Sequence, residues 1–186
     1  MRTYRERFIK NHRKERQIAN NSKGYKDVYV YIGDFYTWEP PGRSFSSVRK
    51  LFALSETLTV IIFILASIPG TLISYSPLVV SGAILSAAAW AFEVIAVVRF
   101  CFKKLPLEED DYAYIKIVFN VTFIVRAVCL VFSFVTGIIY MQERSFETTS
   151  ILSVAGYLLT ALIALFLYFL YRKTAKSLKI IPSGTK

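Results

Sequence analysis

The sequence predicts an all-α integral membrane protein: four transmembrane helices, N-in and C-in, with a cytosolic N-terminal arm that contains a short β-hairpin. Three observations carry that expectation. Apolar residues make up 54% of the 186 positions, lie in long blocks, and give a mean hydropathy of +0.44. Four blocks, at about 51–74, 77–101, 115–140 and 151–171, reach the roughly 20 residues that a crossing needs. The third is charge position. Twelve Lys and Arg fall within residues 1–50 and five within 172–186, against one (Arg144) in 141–150 and none in the Tyr75–Ser76 turn. Basic residues concentrate on the cytosolic side of membrane proteins, so both termini are expected there, with the plasma membrane as the expected location.

The net charge of +10 is therefore first a topology signal. It also favours contact with anionic lipid headgroups. Nucleic acid is not expected as a partner, because no recognition motif accompanies the charge. Residues 1–50 form a basic, aromatic arm. Its first 24 residues are polar, lack the apolar core of a cleavable signal peptide, and fit either a helix or a disordered segment. Residues 25–43 differ: Val28, Val30 and Ile32 alternate with Tyr29, Tyr31 and Gly33, the period of a strand. Gly33-Asp34 reads as a turn, and Phe35-Tyr36-Thr37-Trp38 as a returning strand, before Pro40-Pro41-Gly42 breaks regular structure. Tyr29, Tyr31, Phe35, Tyr36 and Trp38 are the arm's candidate contacts, with a partner or with the membrane interface, where aromatic rings suit a half-apolar setting.

The first span follows Arg49-Lys50. Pro69-Gly70 is expected to bend or loosen its outer end, and Glu56 lies near enough to the boundary to reach the interface. Ser76-Pro77 reads as a cap and first turn, which makes spans one and two antiparallel neighbours. Span two is dense in small residues, which allow close helix approach in lipid. The loop that follows holds Glu108-Glu109-Asp110-Asp111. Its spacing matches no calcium loop, and acidic residues ahead of a helix complement its dipole. Span four ends in Tyr168, Tyr171, Arg172 and Lys173, an aromatic and basic belt. The basic tail, 172–186, is expected to be disordered after Lys176.

Chemistry concentrates on three ionisable residues inside apolar runs: Glu56, Glu93 and Arg126. A charge at such depth costs about 2.5–3.5 kcal/mol on insertion scales, so it faces protein, water or an opposite charge. Gly82, Ser86, Ala89, Glu93 and Val97 share one helical stripe, and Thr122, Arg126, Cys129, Ser133 and Gly137 share another. The two stripes predict a hairpin of spans two and three with Glu93 opposite Arg126, as a structural pair or as a polar site open to the cytosol. His12 is the only histidine, and Cys101 and Cys129 form no redox or metal motif. No catalytic residue, metal site or cofactor is expected. The functional expectation is a non-enzymatic membrane subunit or accessory protein, assembling with another membrane protein or as a homo-oligomer through its small-residue faces and its arm. The alternative is a small oligomeric transporter working through Glu93 and Arg126.

Overall fold

The computed structural model describes residues 11–18, 25–39, 44–68, 70–144 and 147–182. Among the described residues four α-helices form the body of the fold: α1 (Phe45–Ala66), α2 (Pro77–Phe102), α3 (Glu109–Glu143) and α4 (Thr148–Ala175). Five strands accompany them among the same residues: β1 (His12–Ile18), β2 (Tyr25–Tyr31), β3 (Phe35–Trp38), β4 (Leu107–Glu108) and β5 (Leu178–Ile181). Helices α2, α3 and α4 are long and apolar enough to cross a membrane. Helix α1 has 22 residues and carries Arg49, Lys50 and Glu56, which keeps it outside that class.

Each helix boundary has a local cause. Ser44 caps α1, its Oγ accepting the Ser46 N–H at 3.3 Å. The first span was expected to run as far as residue 74, but α1 stops at Ala66. The residue before a proline resists helical torsion angles, and Gly70 then takes φ = +98°, a left-handed value that favours glycine. The chain continues as a 3₁₀ turn, Leu72–Tyr75. Pro77 opens α2 as anticipated, although the Ser76 side chain makes no capping bond. Helix α3 starts six residues earlier than hydropathy indicates, because Glu109, Asp110 and Asp111 occupy its first turn, where the helix dipole favours negative charge.

Around the bundle, α2 packs on α3, α3 on α4, and α1 chiefly on α4. Spans one and two, expected as antiparallel neighbours, do touch, along a lighter seam than these. Glycines set the tight crossings. A Cβ on Gly156 would meet Ala66 Cβ at 2.6 Å, and one on Gly82 would collide with Ser133 Oγ and the Cys129 carbonyl oxygen. Ser133 Oγ in turn donates to the Val79 carbonyl at 3.0 Å. Gly82→Val should therefore wedge α2 from α3 at a cost of about 1–3 kcal/mol, the range of overpacked cores. Detergent-titrated unfolding of the purified protein measures it, and a neutral result would mean that the crossing is looser than described.

The strands depart most from expectation. The segments on either side of Gly33-Asp34 do not pair with each other. Instead β2 pairs antiparallel with β1, from His12↔Tyr31 to Ile18↔Tyr25. The Asp27 carboxylate holds Lys14 at 2.7 Å and Arg16 at 3.6 Å. The hydrogen bond from Lys14 keeps the Asp27 carboxyl below its usual range. A strand within the first 24 residues was not anticipated. Strand β3 pairs with β4 on one side and β5 on the other, in a three-stranded sheet. The tail beyond Lys176, expected to be disordered, supplies β5. The sheet gathers the start of α1, the end of α2, the start of α3 and the end of α4 at one end of the bundle. Pro40-Pro41-Gly42 and residues 1–10 lie outside the described residues.

Two apolar clusters fill the interior. At the sheet end, Phe52, Phe100, Phe119, Phe123 and Tyr171 interlock, with Phe52 stacked on Phe119 at 5.6 Å and Tyr171 edge-on to Phe119 at 5.0 Å. At the far end, Ala66, Ile73, Val79, Leu130, Val154 and Tyr157 form the second. The three intrahelical charges lie between them.

Candidate functional site

Helix periodicity brings Glu56 of α1, Glu93 of α2 and Arg126 of α3 to one point between the two clusters. Arg126 is 1% exposed, Glu93 0% and Glu56 7%. Its Nη1 and Nη2 donate to Glu56 Oε2 and Oε1 at 3.2 and 3.3 Å, a bidentate fork matched to the shape of a carboxylate. Nη1 also lies 2.9 Å from Glu93 Oε1. That second contact is charge against charge rather than a directed bond, for neither Glu93 oxygen has a hydrogen-bond partner, and Arg126 Nε also lacks one. The Trp90 indole N–H donates to Glu56 Oε2 at 3.0 Å.

All three sequence-predicted residues thus meet, but with an emphasis the stripes did not give. Glu93 faces Arg126 as the small-residue faces predict. Glu56, expected near the interface, is the better-bonded partner. Its depth follows from the start of α1 at Phe45, three turns before it. Trp90 was missed, although it is the one tryptophan in an apolar block and sits one turn before Glu93. The formal charges are two negative and one positive.

A cavity of about 300 Å³ opens on the seam between α1 and α2, lined by Phe63, Ser67, Ile73, Ser74, Val79 and Tyr157 among others. Beneath it a void too small to admit water shares Phe63 and Ala87 and is walled by Thr59, Trp90 and Arg126; neither Glu56 nor Glu93 lines either space. The seam is lighter than the α2–α3, α3–α4 and α1–α4 contacts. Hydroxyl groups accompany the descent: Ser67 Oγ and Tyr157 Oη are 3.5 Å apart, and the Thr59 and Thr160 hydroxyls bond to their own helices' carbonyls.

The candidate contacts of the arm are distributed differently. Trp38 is 2% exposed, stacked on Phe45 at 5.3 Å and edge-on to Phe100 at 5.5 Å. Tyr36 stacks on Tyr112 at 4.4 Å, and Phe35 meets the edge of Tyr31 at 5.0 Å. The Tyr31 hydroxyl donates to the Asp34 carbonyl and accepts the Glu109 N–H, tying the β1–β2 ribbon to the start of α3. Burial raises the Tyr31 phenol above its ordinary range, with the Glu109 and Glu108 charges adding to the shift. Tyr29 is exposed on β2. Of the acidic run, Asp111 pairs with Arg99 and Lys103, and Glu109 accepts from the Asn11 amide at 2.9 Å. Among the described residues no group of His, Cys, Asp and Glu is placed to hold a metal ion. No protein-family model, no curated protein and no solved structure matches this chain, so the cluster is read from its own chemistry.

Proposed function

We propose that the chain is a four-span membrane protein with both ends on the cytosolic side, and that Glu56, Glu93 and Arg126 form the coupling site of a small transporter. One observation carries this reading: two carboxylates against one guanidinium, sealed inside an apolar bundle. One negative charge is in excess, and a proton or monovalent cation on Glu93 makes the cluster neutral. Net charge buried in a medium of low dielectric is costly. Loading and unloading Glu93 therefore changes how firmly Arg126 holds α1 and α2 to α3. Three features support the membrane placement: three helices of sufficient apolar length, exposed apolar side chains such as Leu54, Ile84, Val128 and Phe169, and basic residues at the sheet end.

The test is uptake into proteoliposomes of a panel of inorganic ions, amines and small metabolites under an imposed pH gradient. Gradient-driven uptake of at least one compound is expected, and it should vanish in a folded Glu93→Gln protein. Uptake that survives this substitution, or no uptake of any compound, overturns the reading.

A non-enzymatic accessory subunit is the second reading. The β1–β2 ribbon favours it, with Ile18 99% exposed and Tyr29 57% exposed. Against it, the small-residue faces at Gly82 and Gly156 pack within the chain, and Trp38 is spent on the chain's own core. A stoichiometric partner recovered from native membranes, and lost on removing residues 1–31, would establish it.

A further inference from the structure

We propose that the sheet end of the α1–α2 seam is a binding site for the phosphate of an anionic phospholipid. The inference rests on the membrane placement above and not on the transport reading. A crevice of about 440 Å³ lies there, with Phe45, Ser46, Arg49, Lys50, Phe102 and Leu105 among its walls. It brings together two cations and a hydroxyl, and among the described residues no carboxylate lines it.

Arg49 is already held in place. Its Nη2 donates to the Lys103 carbonyl at 2.7 Å, its guanidinium lies 4.6 Å over the Phe45 ring, and the Arg49 carbonyl accepts from Cys101 Sγ at 3.5 Å. Arg49 is half-exposed, and a guanidinium so fixed loses little side-chain freedom in taking an oxyanion, a group that suits its planar donors. Lys50, one residue on and exposed, adds a mobile charge to the same anion.

The surroundings select a lipid over free phosphate. Phe102 is 75% exposed at the crevice, and one turn further from the sheet end Leu54 and Val98 are exposed on the same two helices, at 68% and 51%. An acyl chain covers such surface while its headgroup stays at the basic boundary, where anionic lipids meet Lys and Arg. A soluble phosphate leaves it bare.

The experiment uses the full chain, purified in detergent and delipidated, then titrated with phosphatidylglycerol, phosphatidylcholine or inorganic phosphate and followed by native mass spectrometry and thermal unfolding. Phosphatidylglycerol should bind and stabilise the protein. Binding should weaken about tenfold in Arg49→Gln/Lys50→Gln and stay unchanged in Arg172→Gln/Lys173→Gln, a second basic patch at the same end. Because Arg49 also ties α1 to α2, Lys50→Gln alone provides a variant on an exposed position, expected to show a partial loss. Equal binding of phosphatidylcholine, equal loss in both double variants, no loss in Lys50→Gln, or stabilisation by inorganic phosphate as large as that by the lipid would each overturn the proposal. A protein that stays soluble without detergent would instead defeat the membrane placement itself.

Discussion

Arg126→Gln should cost about 3–5 kcal/mol of stability, the range seen when one partner of a buried ion pair is removed. The change leaves two carboxylates, Glu56 and Glu93, facing each other in an apolar interior with the Trp90 indole as their remaining donor. Glu93→Gln should behave in the opposite way. It removes the excess negative charge, keeps the bidentate Arg126–Glu56 fork intact, and takes away an oxygen pair that accepts no directed bond. Its stability should stay within about 1 kcal/mol of the parent, the scale of one hydrogen bond. Glu56→Gln falls between, since it breaks the fork but leaves Glu93 beside Arg126. The order Arg126→Gln, Glu56→Gln, Glu93→Gln is the distinguishing result, read from unfolding of each protein in mixed detergent. A Glu93–Arg126 pair acting alone would make those two substitutions equally harmful. The same asymmetry makes Glu93→Gln the right variant for transport, because it separates loss of function from loss of fold. Neutralising Glu93 and Arg126 together is a poor test, for it strands Glu56.

The second large effect is expected at Trp38. Trp38→Ala should destabilise the sheet end by about 3–5 kcal/mol, the usual cost of emptying a buried aromatic site. The indole fills the space between β3 and the helices, against Phe45 of α1, Phe100 of α2 and Tyr112 of α3. With it gone, β3 loses its anchor, and β4 and β5 lose the strand they share. Trp38→Phe should be far milder, because Trp38 Nε1 makes no hydrogen bond and a phenyl ring retains most of the contact. Hydrogen exchange over β3 and β5 reports the effect directly. Fast exchange in Trp38→Ala and near-parent protection in Trp38→Phe are expected. If the alanine protein keeps its protection, the sheet is held by its backbone ladder and not by this side chain.

How much of this was legible in the sequence depends on the range over which each feature is determined. The four helical blocks show in hydropathy because each is a local run of apolar residues. Their ends show less well. Glu109, Asp110 and Asp111 count against a membrane segment, yet they are good first-turn residues, so α3 begins before the apolar run does. The alternation through residues 28–38 correctly marks strands but says nothing of their partners. A strand can pair with any edge that reaches it, and β3 pairs with segments about 70 and 140 residues away. Gly33-Asp34 looked like a hairpin turn because it is the nearest punctuation, not because the flanking strands need each other.

Local pattern fixes the number of long helices, the concentration of basic residues at the chain ends, and the Glu93–Arg126 meeting, since spans two and three are joined by a short loop and their small-residue faces must pack. The remainder follows from long-range packing. Glu56 became the main partner of Arg126, Trp90 joined it, Trp38 turned inward, and the tail became a strand. Each of these depends on where α1 sits around the bundle or on three distant ends meeting in one sheet. Local residue patterns fix the face that an element buries, whereas its neighbours are chosen by the whole bundle filling space and pairing its polar groups at once.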